Sequence, residues 1–168
     1  MKNILKEPIE RYLIEKTKSF TQNELANKFR HEYPNILKNT IQDDLRYKII
    51  GSTGKGNWTD CPWIAILDTI ITDTPQKGYY PVFLFKKDMT GVYLSLNQGV
   101  TDVIENYKKN AIQVLKLRAN DFRAKIDYDD LLEVISLESK TTTLFGLAAV
   151  LRIEIQTSLK KYHFKKNE

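Results

Sequence analysis

Two neighbouring stretches, Gly54–Asp68 (GKGNWTDCPWIAILD) and Gly78–Lys86 (GYYPVFLFK), hold the residues best suited to chemistry in this chain. Gly54 and Gly56 flank Lys55, and glycine lets a backbone take positive φ and approach a partner closely. Asn57 and Trp58 follow, Pro62 and Trp63 open an apolar strand, and Tyr79 and Tyr80 open a second. Trp63, Tyr79 and Tyr80 offer flat faces on which a base stacks. A flexible basic loop beside an aromatic pocket is what holding an unstacked nucleotide requires. The same residues also suit a plain connecting turn and a set of core aromatics. The loop is not a phosphate-binding P-loop, because Gly51-Ser52-Thr53-Gly54-Lys55 lacks the four-residue gap between glycines and the closing hydroxyl.

Other chemistries leave weaker traces. Glu138-Ser139-Lys140, with Asp129 and Asp130 upstream, has the carboxylate-and-lysine composition of a Mg²⁺-dependent nuclease site. So short a spacing arises often by chance, and a solvated strand end is the plainer reading. His31 and His163 are isolated, and one cysteine, Cys61, allows no internal disulfide and no cysteine-based zinc site. No serine–histidine–acid arrangement is present. The expectation is no catalytic residue, no metal and no cofactor.

The elements that must position the loop and the aromatics follow from periodicity. Two helices are expected in the first 45 residues. The first carries Ile9, Tyr12, Leu13 and Ile14. The second is capped by Thr21 with Glu24 three residues later, runs through Leu25, Phe29 and Tyr33, and ends at Pro34. Strands are expected at Tyr47–Ser52, Trp63–Leu67, Tyr80–Phe85 and Val92–Leu96, with a hairpin turn at Asp88–Gly91 and a loop over Thr69–Lys77. A long helix capped by Thr101 should present Val103, Ile104, Tyr107, Ala111, Val114 and Leu115. Further on, a short helix at Asp127–Leu132, a strand at Val134–Leu137 and a final helix after Thr143, from Phe145 to Leu159, complete the reading. Strands grouped centrally with helices at both ends predict an α+β fold: a central, largely antiparallel twisted sheet flanked by N- and C-terminal helices.

At 168 residues, with 42% hydrophobic and 28% charged residues, the chain suits one globular domain over 1–168. No repeat or linker divides it. The N-terminus lacks a signal-peptide apolar core, and no apolar run approaches a membrane span, so a cytoplasmic protein without membrane contact is expected. Net charge is +5 and the pI is near 9.1, which suits a polyanionic partner. Lys160, Lys161, Lys165 and Lys166 read as a solvated tail.

Over about residues 45–105 the chain resembles the N-terminal DNA-binding domain of McrB-like proteins, the recognition part of the McrBC modified-cytosine restriction system. The matching positions are Gly54, Lys55, Gly56, Asn57, Trp58, then Pro62-Trp63, then Gly78-Tyr79-Tyr80-Pro81-Val82, continuing through Lys87-Asp88-Met89 into GVYLSLNQGV. The resemblance implies a module that binds double-stranded DNA and flips a modified, methylated-type cytosine into an aromatic pocket, as the targeting part of a phage-defence restriction system. It implies that Trp63, Tyr80 and Leu84 line the pocket. It brings the loop Gly54-Lys55-Gly56-Asn57, with Trp58 and Tyr79 nearby, to the DNA. Lys55 stands where one relative carries an aromatic, and a lysine there suits a phosphate or a base edge. A GTPase motor domain and a nuclease subunit are the partners implied within such a system. The alternatives are the nuclease of Glu138 and Lys140 and a protein-interaction adaptor.

Overall fold

The computed structural model describes residues 2–41, 45–125 and 149–151. Strands β1 (Tyr47–Ser52), β2 (Trp63–Asp68), β3 (Tyr79–Phe85) and β4 (Val92–Gln98) pair in chain order, each antiparallel to the last. A short β5 (Ala149–Leu151) adds to the free edge of β4, Leu94 opposite Leu151. The four central strands stand where the alternation of apolar residues and the bounding Gly, Pro and Asp turns place them. The protein is α+β, with helices flanking the sheet at both ends.

On one face the sheet meets helix α1 (Lys2–Glu15) and a second helical stretch. That stretch comprises α2 (Glu24–Asn27), a π-helical turn (Lys28–Glu32) and α3 (Tyr33–Lys38). Tyr12, Phe29, Tyr33, Ile64 and Phe85 are the large side chains of this core. Phe29 packs edge-on against Phe85, with ring centroids 5.5 Å apart. β1 approaches the second helical stretch so closely that only a glycine fits. A Cβ on Gly51 would lie 1.8 Å from the Phe29 carbonyl oxygen.

Several sequence expectations are corrected. The α1 stripe is Ile4, Leu5, Ile9 and Tyr12, while Leu13 and Ile14 are 50% and 62% exposed. Tyr12 sets that rotation, its hydroxyl donating to the Thr59 carbonyl at 2.9 Å. The second helix is capped by Asn23, not Thr21: Asn23 Oδ1 accepts from the Leu25 and Ala26 amides at 2.9 and 3.2 Å. Gln22, at φ 59°, turns the chain so that the helix starts only there. Nor does that helix stop at Pro34. The π turn bonds the Tyr33 amide to the Lys28 carbonyl, and Pro34 enters the first turn of α3, where a missing N–H costs little.

After β4 the helix is capped at Gly99, not Thr101, and it is two helices. α4 (Val100–Tyr107) ends where Lys108 takes φ 47°, a 3₁₀ turn follows (Lys108–Asn110), and α5 (Ala111–Lys125) starts afresh. The break turns Ile104 and Tyr107 outward, leaving Val103, Ala111 and Leu115 to form the small core there. Residues 149–151, expected inside a final helix, form strand β5. A short apolar run is ambiguous by periodicity, and the open edge of β4 decides it. The expected elements at 127–132 and 134–137, and Asp129, Asp130, Glu138, Lys140 and His163, lie outside the described residues.

Glu15 joins α1 to the second helical stretch. Lys18 Nζ donates to it at 2.9 Å and Asn23 Nδ2 at 2.8 Å, and the donation from Lys18 above all holds its carboxyl near 2, well below the usual 4.5. A carboxyl depressed on folding stabilises the fold above its unfolded value, and that contribution disappears as pH falls through 4.5 toward 2. Urea midpoints at pH 7 and pH 3 should therefore fall further for the wild-type protein than for Glu15→Gln, whose neutral amide does not titrate.

Candidate functional site

Side chains alternate across a strand, and the β2–β3–β4 register decides which of them share a face. Trp63 lies opposite Leu84, Leu84 opposite Tyr93, and Tyr80 opposite Asn97. Trp63, Tyr80, Val82, Leu84, Ser95 and Asn97 therefore share the face turned away from α1 and α3. The β2–β3 ladder has three register pairs and ends at Ala65 opposite Val82. Pro81, with no N–H to offer, stands where the ladder would continue. Beyond it the two strands part, and the loop 69–78 folds back into the gap.

There a cavity of about 200 Å³ opens, lined by Trp63, Tyr80, Val82, Leu84 and Asn97 from the sheet, with Pro75, Gln76 and Thr101 at its rim. Tyr80 is 3% exposed, and burial pushes its hydroxyl up to about 12, so the proton stays in place. It donates to the Pro75 carbonyl at 3.0 Å and so ties the rim loop to the pocket floor. The Gln76 carbonyl accepts from the Asp102 amide at 3.1 Å, fastening the same loop to α4. Gly99 lets the two cross, since a Cβ there would lie 2.2 Å from the Lys77 nitrogen.

The loop 53–62 joins β1 to β2 at the Trp63 end of the cavity. Its base is clamped: the Thr59 amide donates to the Thr53 carbonyl at 2.7 Å, and Trp58 Nε1 donates to the Lys18 carbonyl at 3.0 Å. Trp58 packs edge-on against Tyr12 and Phe20, with centroids 5.3 and 5.2 Å away. Above this clamp Lys55, Gly56 and Asn57 are exposed. Gly54 and Gly56 take φ 120° and 81°, where side chains are strained. Asp60, the loop's one acidic residue, is held below the usual carboxylate range by donors from Lys16 and Lys87. Lys55 is the loop's one cation, and Lys16 and Lys87 from outside the loop offset the charge of Asp60.

Trp63, Tyr80 and Leu84 meet on one cavity, and the Gly54–Asn57 tip stands at its Trp63 end. Trp58 sits apart, as the anchor of the loop. Tyr79 is on the opposite face, exposed, its ring 5.0 Å from that of Phe122. Pro75, Gln76, Asn97 and Thr101 escaped the sequence reading. The polar pair Ser95 and Asn97 at alternate positions near the end of β4 was the available signal, but its meaning depended on a register still unknown. Among the described residues no group of three or more His, Cys, Asp or Glu stands ready to hold a metal ion, and no helix is long and apolar enough to cross a membrane.

The model of one family, the MrcB-like N-terminal domain, matches residues 8–162 of the 168. The chain belongs to the MrcB-like N-terminal domain family. The match runs across the first helices, the sheet and the loop–pocket constellation, well beyond the motif core of residues 45–105. The match agrees with the resemblance to an N-terminal McrB-like domain seen over about residues 45–105. No curated protein matches the chain.

Proposed function

We propose that this MrcB-like domain binds double-stranded DNA and receives a modified cytosine, flipped from the duplex, in the Trp63–Tyr80–Leu84 cavity. The single observation that carries this reading is the convergence of two aromatics and a leucine on one open cavity beside an exposed glycine-lysine-glycine tip. A cavity of about 150 Å³ admits a benzene ring, so about 200 Å³ suits one six-membered ring with its substituents. Flipping costs a few kcal/mol of unstacking, recovered by stacking and hydrogen bonds in the pocket. A methyl group adds about 1 kcal/mol of apolar contact when fully buried, so pocket shape and polar contacts carry the rest of the discrimination. The domain acts as the targeting module of a modification-dependent restriction system in the cytoplasm. Cleavage and GTP-driven movement reside on other domains or subunits.

Lys55 contacts the DNA backbone in this account. Lys55→Ala should weaken modified and unmodified duplexes by similar factors and shallow the dependence of log K on log salt by about one. Titrations at several salt concentrations measure both, and an unchanged affinity with an unchanged slope would remove the loop from the interface. Incubation with Mg²⁺ should leave the duplex uncut. Nicking that disappears in Glu138→Ala would make the chain a nuclease instead.

A further inference from the structure

The pocket has a polar side chain that neither its aromatic walls nor its rim loop uses. Asn97, in β4 opposite Tyr80, is 2% exposed and lines the cavity. The Ser95 hydroxyl, two residues back on the same strand face, donates to Asn97 Oδ1 at 2.8 Å. With the Ser95 hydroxyl donating to Oδ1, Nδ2 is left on the other arm of the carboxamide. Among the described residues Nδ2 has no protein acceptor. Nδ2 is not one of the enclosed polar atoms left unpaired among the described residues, so a molecule in the cavity can reach it and accept from it. Tyr80 differs, because its proton is already given to the Pro75 carbonyl.

We infer that Asn97 determines which base the cavity accepts, its Nδ2 donating to the acceptor edge of a cytosine-type pyrimidine, where O2 and N3 both accept. The inference rests on the pocket reading above and adds the polar half of it. Stacking on Trp63 and Tyr80 is indifferent to base identity, since every base has a π-face. A fixed donor is not, because a base that turns N–H toward it leaves both groups unpaired. Thymine carries N–H at N3 and should be the poorer fit. Ser95 is a positioning residue in this scheme, since without its hydroxyl the amide is free to turn over.

The test compares wild type, Asn97→Leu, Asn97→Asp and Trp63→Ala. The probes are three otherwise identical duplexes, each with 5-methylcytosine, a mismatched thymine or an abasic site at one position, at fixed salt. Asn97→Leu keeps the volume without polar atoms; Asn97→Asp keeps the shape and removes the amide donor. Both should bind the 5-methylcytosine duplex about tenfold or more weakly than wild type and bind the abasic duplex as wild type does. Asn97→Asp should also narrow the gap between 5-methylcytosine and thymine. Equal losses on the abasic duplex would show a structural role and overturn the inference. Asn97 variants that keep full discrimination while Trp63→Ala loses it would overturn the role of Asn97 alone. If Trp63→Ala also keeps it, the pocket reading falls and takes this inference with it.

Discussion

Folded Trp63→Ala and Tyr80→Ala proteins should each lose the preference for a duplex carrying the modified base. Each ring is a wall of the cavity, and stacking contributes about 1–3 kcal/mol per base. Since 1.4 kcal/mol is tenfold in affinity, the modified duplex should weaken by roughly one to two orders of magnitude. The unmodified duplex, held through phosphates, should change little. Tyr80 needs a finer control, because its hydroxyl also ties Pro75 to the floor. Tyr80→Phe keeps the stacking face and leaves the Pro75 carbonyl unpaired, so it should cost about 1 kcal/mol of stability and little discrimination. Circular dichroism and urea midpoints establish that each variant is folded before affinities are compared. Full discrimination in folded Trp63→Ala and Tyr80→Ala proteins would place the recognised base elsewhere.

Gly51→Ala should have the largest effect on the fold. The added Cβ meets the Phe29 carbonyl oxygen at 1.8 Å and the carbonyl carbon at 2.8 Å, both backbone atoms that no rotamer change can move aside. The π turn must lift from β1, opening the contacts of Phe29 with Tyr12, Tyr33 and Phe85. Overpacking of this kind costs roughly 3 kcal/mol, a large share of the 5–15 kcal/mol that holds a domain together. Urea denaturation reads it directly. A midpoint within error of wild type would mean that the helix and the strand are less tightly apposed than described.

The strands were legible because they alternate and because Gly, Pro and Asp mark their ends. The observed β1–β4 differ from the sequence reading by at most two residues at an end. The helices were less so. Several stripes of α1 satisfy a 3.6-residue period, and the choice of Tyr12 over Leu13 depended on carbonyls 41 and 47 residues away. The Thr21–Glu24 pair was a local signature overruled by the turn at Gln22. The break at Lys108, a non-glycine residue at positive φ, has no local signal at all. Trp63, Tyr80 and Leu84 came from a motif, whereas Asn97, Pro75 and Gln76 depend on strand register and a returning loop. Residues so far apart in sequence reveal nothing of one another until the sheet is assembled.

One binding panel measures recognition of a modified base most directly. Duplexes of one sequence, carrying cytosine, 5-methylcytosine, 5-hydroxymethylcytosine, N4-methylcytosine or N6-methyladenine at a single position, are titrated with the domain at fixed salt without Mg²⁺. At least one modified cytosine should bind about tenfold or more tightly than cytosine, with N6-methyladenine no better than unmodified DNA. Equal affinity across all five duplexes would contradict it.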